Sequence, residues 1–138
     1  MKQYCLFALF AFTATLISAA DGPISQAEAK KLKNPIPFAS KSISQGKSIF
    51  IRMCSGCHGM DGKSTIDVVA DATDLTEPKG YKSGTTEGEI FRSIRDGQGA
   101  SMPSFKSQLK SDEEMWHLVN FIENLWPDAD RPKPQTSK

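Results

Sequence analysis

Residues 54–58 read CSGCH, and a second short stretch, MPSF, begins at Met102. The first of these decides the fold. Cys54 and Cys57 are three apart and His58 follows at once, so one helical turn projects all three side chains broadly to one side. A thioredoxin-like dithiol would need a strand before the motif and a βαβ context, and the sequence supplies neither. A structural zinc site takes about four ligands, and outside this motif the chain holds only Cys5 as a further cysteine. A plain disulfide would leave His58 without a role. What the pentapeptide fits is c-type haem attachment, in which each thiol adds to one porphyrin vinyl group and the adjacent imidazole points at the iron. The cofactor expected is one covalent haem c, held through Cys54 and Cys57, with His58 as an axial ligand.

The start of the chain sets the compartment. MKQYCLFALFAFTATLISAA (residues 1–20) has an early Lys2, an apolar run from Cys5 to Ile17 and small residues at Ser18, Ala19 and Ala20. That is the pattern of a secretory signal peptide cleaved after Ala20. The apolar run is shorter than the roughly 20 residues a membrane-spanning helix needs. Export to a bacterial periplasm is therefore expected, without membrane insertion after cleavage. Cleavage removes Cys5, and in an oxidising compartment the remaining Cys-x-x-Cys pair would be consumed by a disulfide or otherwise. It also removes Lys2, which balances 17 basic against 16 acidic residues to neutrality. No strong field or basic run marks a nucleic-acid partner.

Residues 21–41 are polar and interrupted by Pro23, Pro35 and Pro37, which predicts an extended leader, with Ile36 and Phe38 able to pin it. Residues 42–127 form the domain, and 128–138, with three further prolines from Pro127 on, read as a disordered tail. Three helices have readable starts. Ser42 and Gln45, Thr86 and Glu89, and Ser111 and Glu114 each stand at capping-box spacing. Apolar residues then recur at helical intervals: Ile49, Phe50 and Met53; Ile90, Phe91 and Ile94; Met115, Leu118, Val119 and Ile122. Gly97 and Pro127 stop the second and third helices. SFKSQL (104–109) has room for a turn, and TIDVV (65–69) is the best, though short, strand candidate. The fold class is all-α. Three short helices with long connections leave a thin core, which a large apolar cofactor at the centre would complete.

The candidates for a second axial ligand are Met53, Met60, Met102, Met115 and His117. Met53 and Met60 flank the motif too closely to cross to the other ring face. Met115 belongs to the apolar stripe of the last helix, where methionine is core packing. His117 lies off that stripe and reads as a partly exposed helix residue. Met102 sits in a Gly-rich loop, DGQGASMPSF, long enough to wrap round, and Pro103 stiffens it. His58 and Met102 are the expected axial pair.

With these residues in view the chain resembles a class I cytochrome c of the monohaem bacterial periplasmic kind, over Ser42 to about Trp126. Gly46 and Phe50 precede Cys54 as in that family's first helix. CSGCHGMDGKS matches its C-x-x-C-H-G-x-x-G run, and WHLVNFIENL resembles its last helix, with Phe121 at the usual aromatic position. The resemblance implies a cytochrome c fold, three main helices and loops wrapped around one haem. It implies that Gly46 lets the terminal helices cross closely, with Phe50 and Phe121 packed at the crossing. It also implies an electron-transfer protein rather than an enzyme: a monomeric one-electron carrier serving redox partners. The alternatives are a haem subunit docked on a dehydrogenase or respiratory complex, and a sensor or peroxidase with a labile Met102. The chain departs from the pattern in lacking a proline some ten to fifteen residues after His58; the first is Pro78. The acceptor for the His58 ring N–H is thus open, and Tyr81, Arg92, Arg95 and Trp116 are candidate donors to the haem propionates.

Overall fold

The computed structural model of the chain describes residues 22–64 and 72–135. The signal-peptide reading of 1–20 and the strand candidate TIDVV lie outside the described residues. Those described are helical and irregular: α1 (Gln26–Ala29), α2 (Ser40–Met53), α3 (Ser55–His58), a 3₁₀ turn at Pro78–Gly80, α4 (Glu87–Asp96) and α5 (Asp112–Asn124). Their β-pairing is a single isolated antiparallel bridge, Gln98 with Met102.

The frame is the crossing of α2 and α5. At Gly46 a Cβ would collide with the backbone carbonyl of His117 and stand 2.7 Å from the Phe121 Cβ. Only glycine lets the two backbones approach this far. One turn on, Phe50 and Phe121 meet with ring centroids 5.0 Å apart and planes tilted by 49°, which adds aromatic packing to simple burial. Met115, Leu118, Val119, Phe121 and Ile122 are all buried along α5. The helical spacing seen in the sequence is therefore the face that makes the core.

Of the three capping boxes the spacing predicts, one forms in full, one by half and one not at all. Thr86 and Glu89 form a complete reciprocal box at the start of α4. Ser111 Oγ accepts from Glu114 N at the start of α5, while the Glu114 carboxylate accepts from Lys110 N at 2.8 Å instead of closing the box. Ser42 does not cap α2. That helix starts at Ser40 after Ala39, and Ser42 is buried within it. The reason is its position on the inner face. Its hydroxyl accepts from Asn120 Nδ2 at 2.7 Å and bonds His117 Nδ1 at 2.7 Å. With Asn120 supplying a proton to Ser42 Oγ, the Ser42 hydroxyl proton goes to His117 Nδ1, and His117 Nε2–H faces the Glu113 carboxylate at 3.5 Å. His117, expected to be partly exposed, is only 7% exposed; it serves as a polar pin in the helix crossing.

The segment before α2 is folded onto the domain. Ser25 and Glu28 make a capping box for α1, and Ala29 and Phe38 are buried. Asn34 Nδ2 donates to Asn120 Oδ1 at 2.9 Å and to Trp116 O at 3.3 Å. Of the segment read as a tail, residues 128–135 are described: Arg131 donates to Trp126 O at 2.8 Å and Gln135 N to Phe38 O at 2.9 Å. SFKSQL forms one turn, with Leu109 N donating to Phe105 O at 3.0 Å.

Candidate haem site

α2 ends on the motif itself. Cys54 closes α2 and opens α3, so its residue serves as C-cap of one helix and N-cap of the next. Cys57 N and His58 N both donate to Cys54 O, at 3.1 and 3.0 Å, which winds the two cysteines and the histidine onto one turn. They line a cavity of about 470 Å³ together with Met102. That size falls within the roughly 300–1,000 Å³ of pockets that enclose small organic ligands and cofactors. Phe50, Leu75, Ile90, Ile94 and Leu118 supply apolar wall. The surroundings act on Cys54 directly: burial, then the neighbouring Cys57, pushes its thiol up to about 12. Cys54 and Cys57 are not joined as a disulfide.

The acceptor for His58 is the carbonyl of Thr73, 3.0 Å from Nδ1. A carbonyl accepts only, so Nδ1 carries the proton and the Nε2 lone pair is left for a metal. The Thr73 carbonyl is held in place by its neighbours. Leu75 N donates to Gly62 O at 2.7 Å, and Asp74 closes a turn by accepting from Thr76 N at 2.8 Å. The sequence pattern missed Thr73 because the expected marker was a proline; the Asp-x-Thr turn signal just after it was the readable trace.

Met102 arrives on the loop that follows α4. Met102 N donates to Gln98 O at 3.2 Å and Gln98 N to Met102 O at 2.9 Å. Gly97 turns the chain with φ +83°, and a Cβ there would stand 2.8 Å from Met102 O and 2.9 Å from Ser104 N. Only glycine suits both the left-handed backbone and the close approach.

The other methionines are placed elsewhere or alongside. Met115 is buried in the core at 1% exposure, and Met60 is 66% exposed. Met53 lines the cavity from the end of α2, next to Cys54. Of the four candidate propionate donors only Tyr81 lines the cavity. Its hydroxyl donates to Leu75 O at 2.8 Å and accepts from Trp126 Nε1 at 3.0 Å, and burial pushes the phenol up. Trp116 stacks on Phe91 with centroids 4.0 Å apart, and both arginines bond to the segment before α2. Arg52 and Lys82, which the sequence reading did not single out, do line the cavity.

Two thiols, an imidazole with one nitrogen committed to a carbonyl, and a thioether thus share one apolar cavity. The donor set and its lining fit an iron porphyrin. Among the described residues no group of three or more His, Cys, Asp and Glu is arranged to hold a bare metal ion.

Fold and site together define a class I cytochrome c domain, an electron-transfer module, and haem c is the group such a domain carries. Residues 41–122 match the family model described as cytochrome c oxidase, cbb3-type, subunit III, and the chain belongs to that family. It is 37% identical over 102 residues to a cbb3-type cytochrome c oxidase subunit CcoP of Helicobacter pylori, a match covering 73% of this chain and 32% of the relative. The chain thus spans about a third of the length of that curated relative. Among solved structures, cytochrome cL of Hyphomicrobium denitrificans aligns with TM-score 0.56 at 24% identity, over 68% of this chain and 55% of the other. Cytochrome cL of the marine methylotroph Methylophaga aminisulfidivorans aligns with TM-score 0.55 at 21% identity, over 63% and 55%. These two likenesses concern the fold. No described helix is long and apolar enough to cross a membrane.

Proposed function

We propose that the protein is a one-electron carrier of the bacterial periplasm, with one haem c attached covalently through Cys54 and Cys57 and ligated by His58 and Met102. The observation that carries this reading is the convergence of all four side chains on one apolar cavity, with His58 Nδ1 committed to Thr73 O. When bound, the haem supplies exchange of a single electron between ferric and ferrous iron. The chain's residues prepare for that. His58 is fixed in one tautomer and one orientation by the Thr73 carbonyl, which also raises the basicity of Nε2. The Met102 thioether and the His58 imidazole, in an apolar lining, would together favour the reduced state and raise the potential. With His58 and Met102 both holding the group, no position would be left at the iron for substrate. The signal-peptide pattern of residues 1–20 supports the periplasmic placement, and covalent attachment would suit an exported carrier because the group could not be lost by dilution.

A second reading keeps the chemistry and changes the setting: a haem subunit held on a larger respiratory complex. The relationship to subunits of cbb3-type oxidases favours it. Both readings imply redox partner proteins; they differ in whether contact is transient and the carrier monomeric. The test begins with optical spectra of the protein from an exporting host with haem-attachment machinery. A c-type reduced spectrum and the weak far-red sulfur-to-iron band of the ferric form are expected. Covalent haem without that band would reopen the sixth position, and absence of haem would overturn the reading. Gel filtration of native-source extract then separates the settings: elution at monomer size supports the carrier, and co-elution with an oxidase supports the subunit.

A further inference from the structure

The segment before α2 grips α4 along its length. Gln26 Nε2 donates to Ser83 O at 2.8 Å and to Glu89 Oε1 at 2.5 Å. Further along, Arg92 Nε donates to Ile24 O at 2.6 Å and Arg92 Nη1 to Gln26 Oε1 at 2.8 Å. At the last turn, Ile24 N donates to Asp96 Oδ2 at 2.7 Å and Arg95 Nη1 to Gly22 O at 3.1 Å. Arg95 also pairs with Asp96 at 2.6 Å, with side chains only 11% and 12% exposed.

That same turn of α4 fastens the Met102 loop. Phe105 N donates to Ile94 O and Lys106 N to Arg95 O, each at 3.1 Å, and Ser104 Oγ donates to Arg95 O at 2.6 Å. The last carbonyls of a helix have no partner within the helix, so their geometry persists only while the turn stays wound. Here those carbonyls are the acceptors that hold the loop, and the segment 22–26 is what braces the turn.

We propose that residues 22–26 are a strap that sets how firmly the Met102 loop closes on the cavity, with Asp96 as its main positioning residue. The proposal rests on Met102 being the axial ligand. Asp96 is the junction because its two carboxylate oxygens take the strap's amide and the guanidinium of the neighbouring arginine. Without it, the Ile24 amide loses its acceptor and Arg95 keeps only the Gly22 carbonyl, and the turn loosens. A looser turn raises the fraction of molecules with the loop open, and the apparent affinity of any outside iron ligand rises in proportion to that fraction.

The experiment uses the haem-loaded full chain in the ferric state, titrated with imidazole while the far-red band is followed. Asp96→Ala is expected to bind imidazole about tenfold more tightly than the parent, and Gln26→Ala a few-fold more tightly. Asn34→Ala is the control. Asn34 ties the same segment to α5, through Asn120 and Trp116, so its loss is expected to lower the melting temperature and leave imidazole affinity unchanged. Parent-like affinity in Asp96→Ala overturns the strap, as does an equal rise in Asn34→Ala for the same loss of melting temperature. If Asp96→Ala does not fold, Gln26→Ala decides by the same two criteria. Met102→Ala marks the fully open limit. A parent that lacks the band and binds imidazole no more weakly than Met102→Ala shows that the ligation reading failed, whereas a band present in the parent with no strap effect isolates the failure to the strap.

Discussion

The two sides of the cavity are built in different ways. The side that carries Cys54, Cys57 and His58 is the continuation of α2, which crosses α5 with backbones in contact at Gly46. Its geometry is set by the core, and disturbing it means disturbing the fold. The side that carries Met102 is a loop closed by one two-residue bridge and fastened to the final turn of α4. Its geometry depends on a few hydrogen bonds that can break while the core stays intact. One proposed ligand is thus held by packing and the other by local bonding, and perturbations of the two sides should separate global stability from the proposed axial ligation.

The largest loss of stability is expected at the helix crossing. In Gly46→Ala the new methyl would meet the His117 carbonyl, and backbone cannot turn aside as a side chain can. The helices must separate, at a cost of about 3 kcal/mol. Denaturant unfolding of the haem-loaded protein measures it. A loss below about 1 kcal/mol would mean that the crossing is not the rigid element.

Next comes a buried carboxyl on α5. Glu123 is 5% exposed, and burial, then the charge of Glu87, pushes it up to about 7. The titratable groups that act on it are Glu87, itself 3.4 Å from Lys33, and the phenol of Tyr81, which burial keeps neutral in this range. The folded state therefore binds the Glu123 proton more tightly than the unfolded chain does. Stability is full below the ordinary carboxylate pKa of about 4.5, falls as pH rises towards about 7, and is level beyond. Glu123→Gln is expected to remove that slope and to stabilise the protein at pH 8 by an amount of the order of 2 kcal/mol. Unfolding midpoints at pH 5 and pH 8 check it, and an unchanged slope would place the titrating group elsewhere.

The polar pin is worth less. Ser42→Ala removes a hydroxyl that serves both Asn120 and His117; His117 Nδ1 loses that partner and Asn120 keeps only the carbonyls of Ile36 and Pro37, at a cost of about 1–2 kcal/mol. The far-red band of the ferric protein should not change, because Ser42 belongs to the packed side alone.

What was legible in the sequence follows the same division. The inner faces of α4 and α5 repeat at helical spacing, and the box at Thr86 and Glu89 forms as its spacing predicts. Where a residue type has two uses, spacing misled. Ser42 stands three before Gln45, yet its register on α2 turns it inward, and a buried partner on α5 took its hydroxyl. His117 was misplaced for the same reason: its surroundings come from α2, 75 positions earlier in the chain. α1 carries a complete capping box, but at four residues it is too short for any period to show. The motif is local and so brings its own residues together, whereas Thr73 is found only by the bond it accepts. Arg92 and Arg95 show the limit of reading by residue type, since their partners lie in the segment 22–26 and not in the cavity.

The most local lesion lies in the methionine loop itself. Gly97→Ala puts a side chain on a residue with φ +83° and sets it 2.8 Å from Met102 O and 2.9 Å from Ser104 N. At φ +83° and ψ 173° the backbone is nearly glycine-only and costs about 1–3 kcal/mol for a residue with a Cβ, part of which a shift of the loop relieves. The unfolding free energy should therefore fall by about 1–2 kcal/mol. The Met102 side should respond more than that figure suggests. Moving Met102 O breaks its bond with Gln98 N, which is half of the bridge that closes the loop, so a modest strain is spent where the closure is decided. Imidazole should bind the ferric variant several-fold more tightly than the parent, while Gly46→Ala, the larger lesion by free energy, should leave the band in place for as long as the protein stays folded. If instead ligand affinity tracks unfolding free energy across Gly46→Ala, Ser42→Ala and Gly97→Ala alike, the two sides open as one cooperative unit, and the methionine loop has no separate equilibrium of its own.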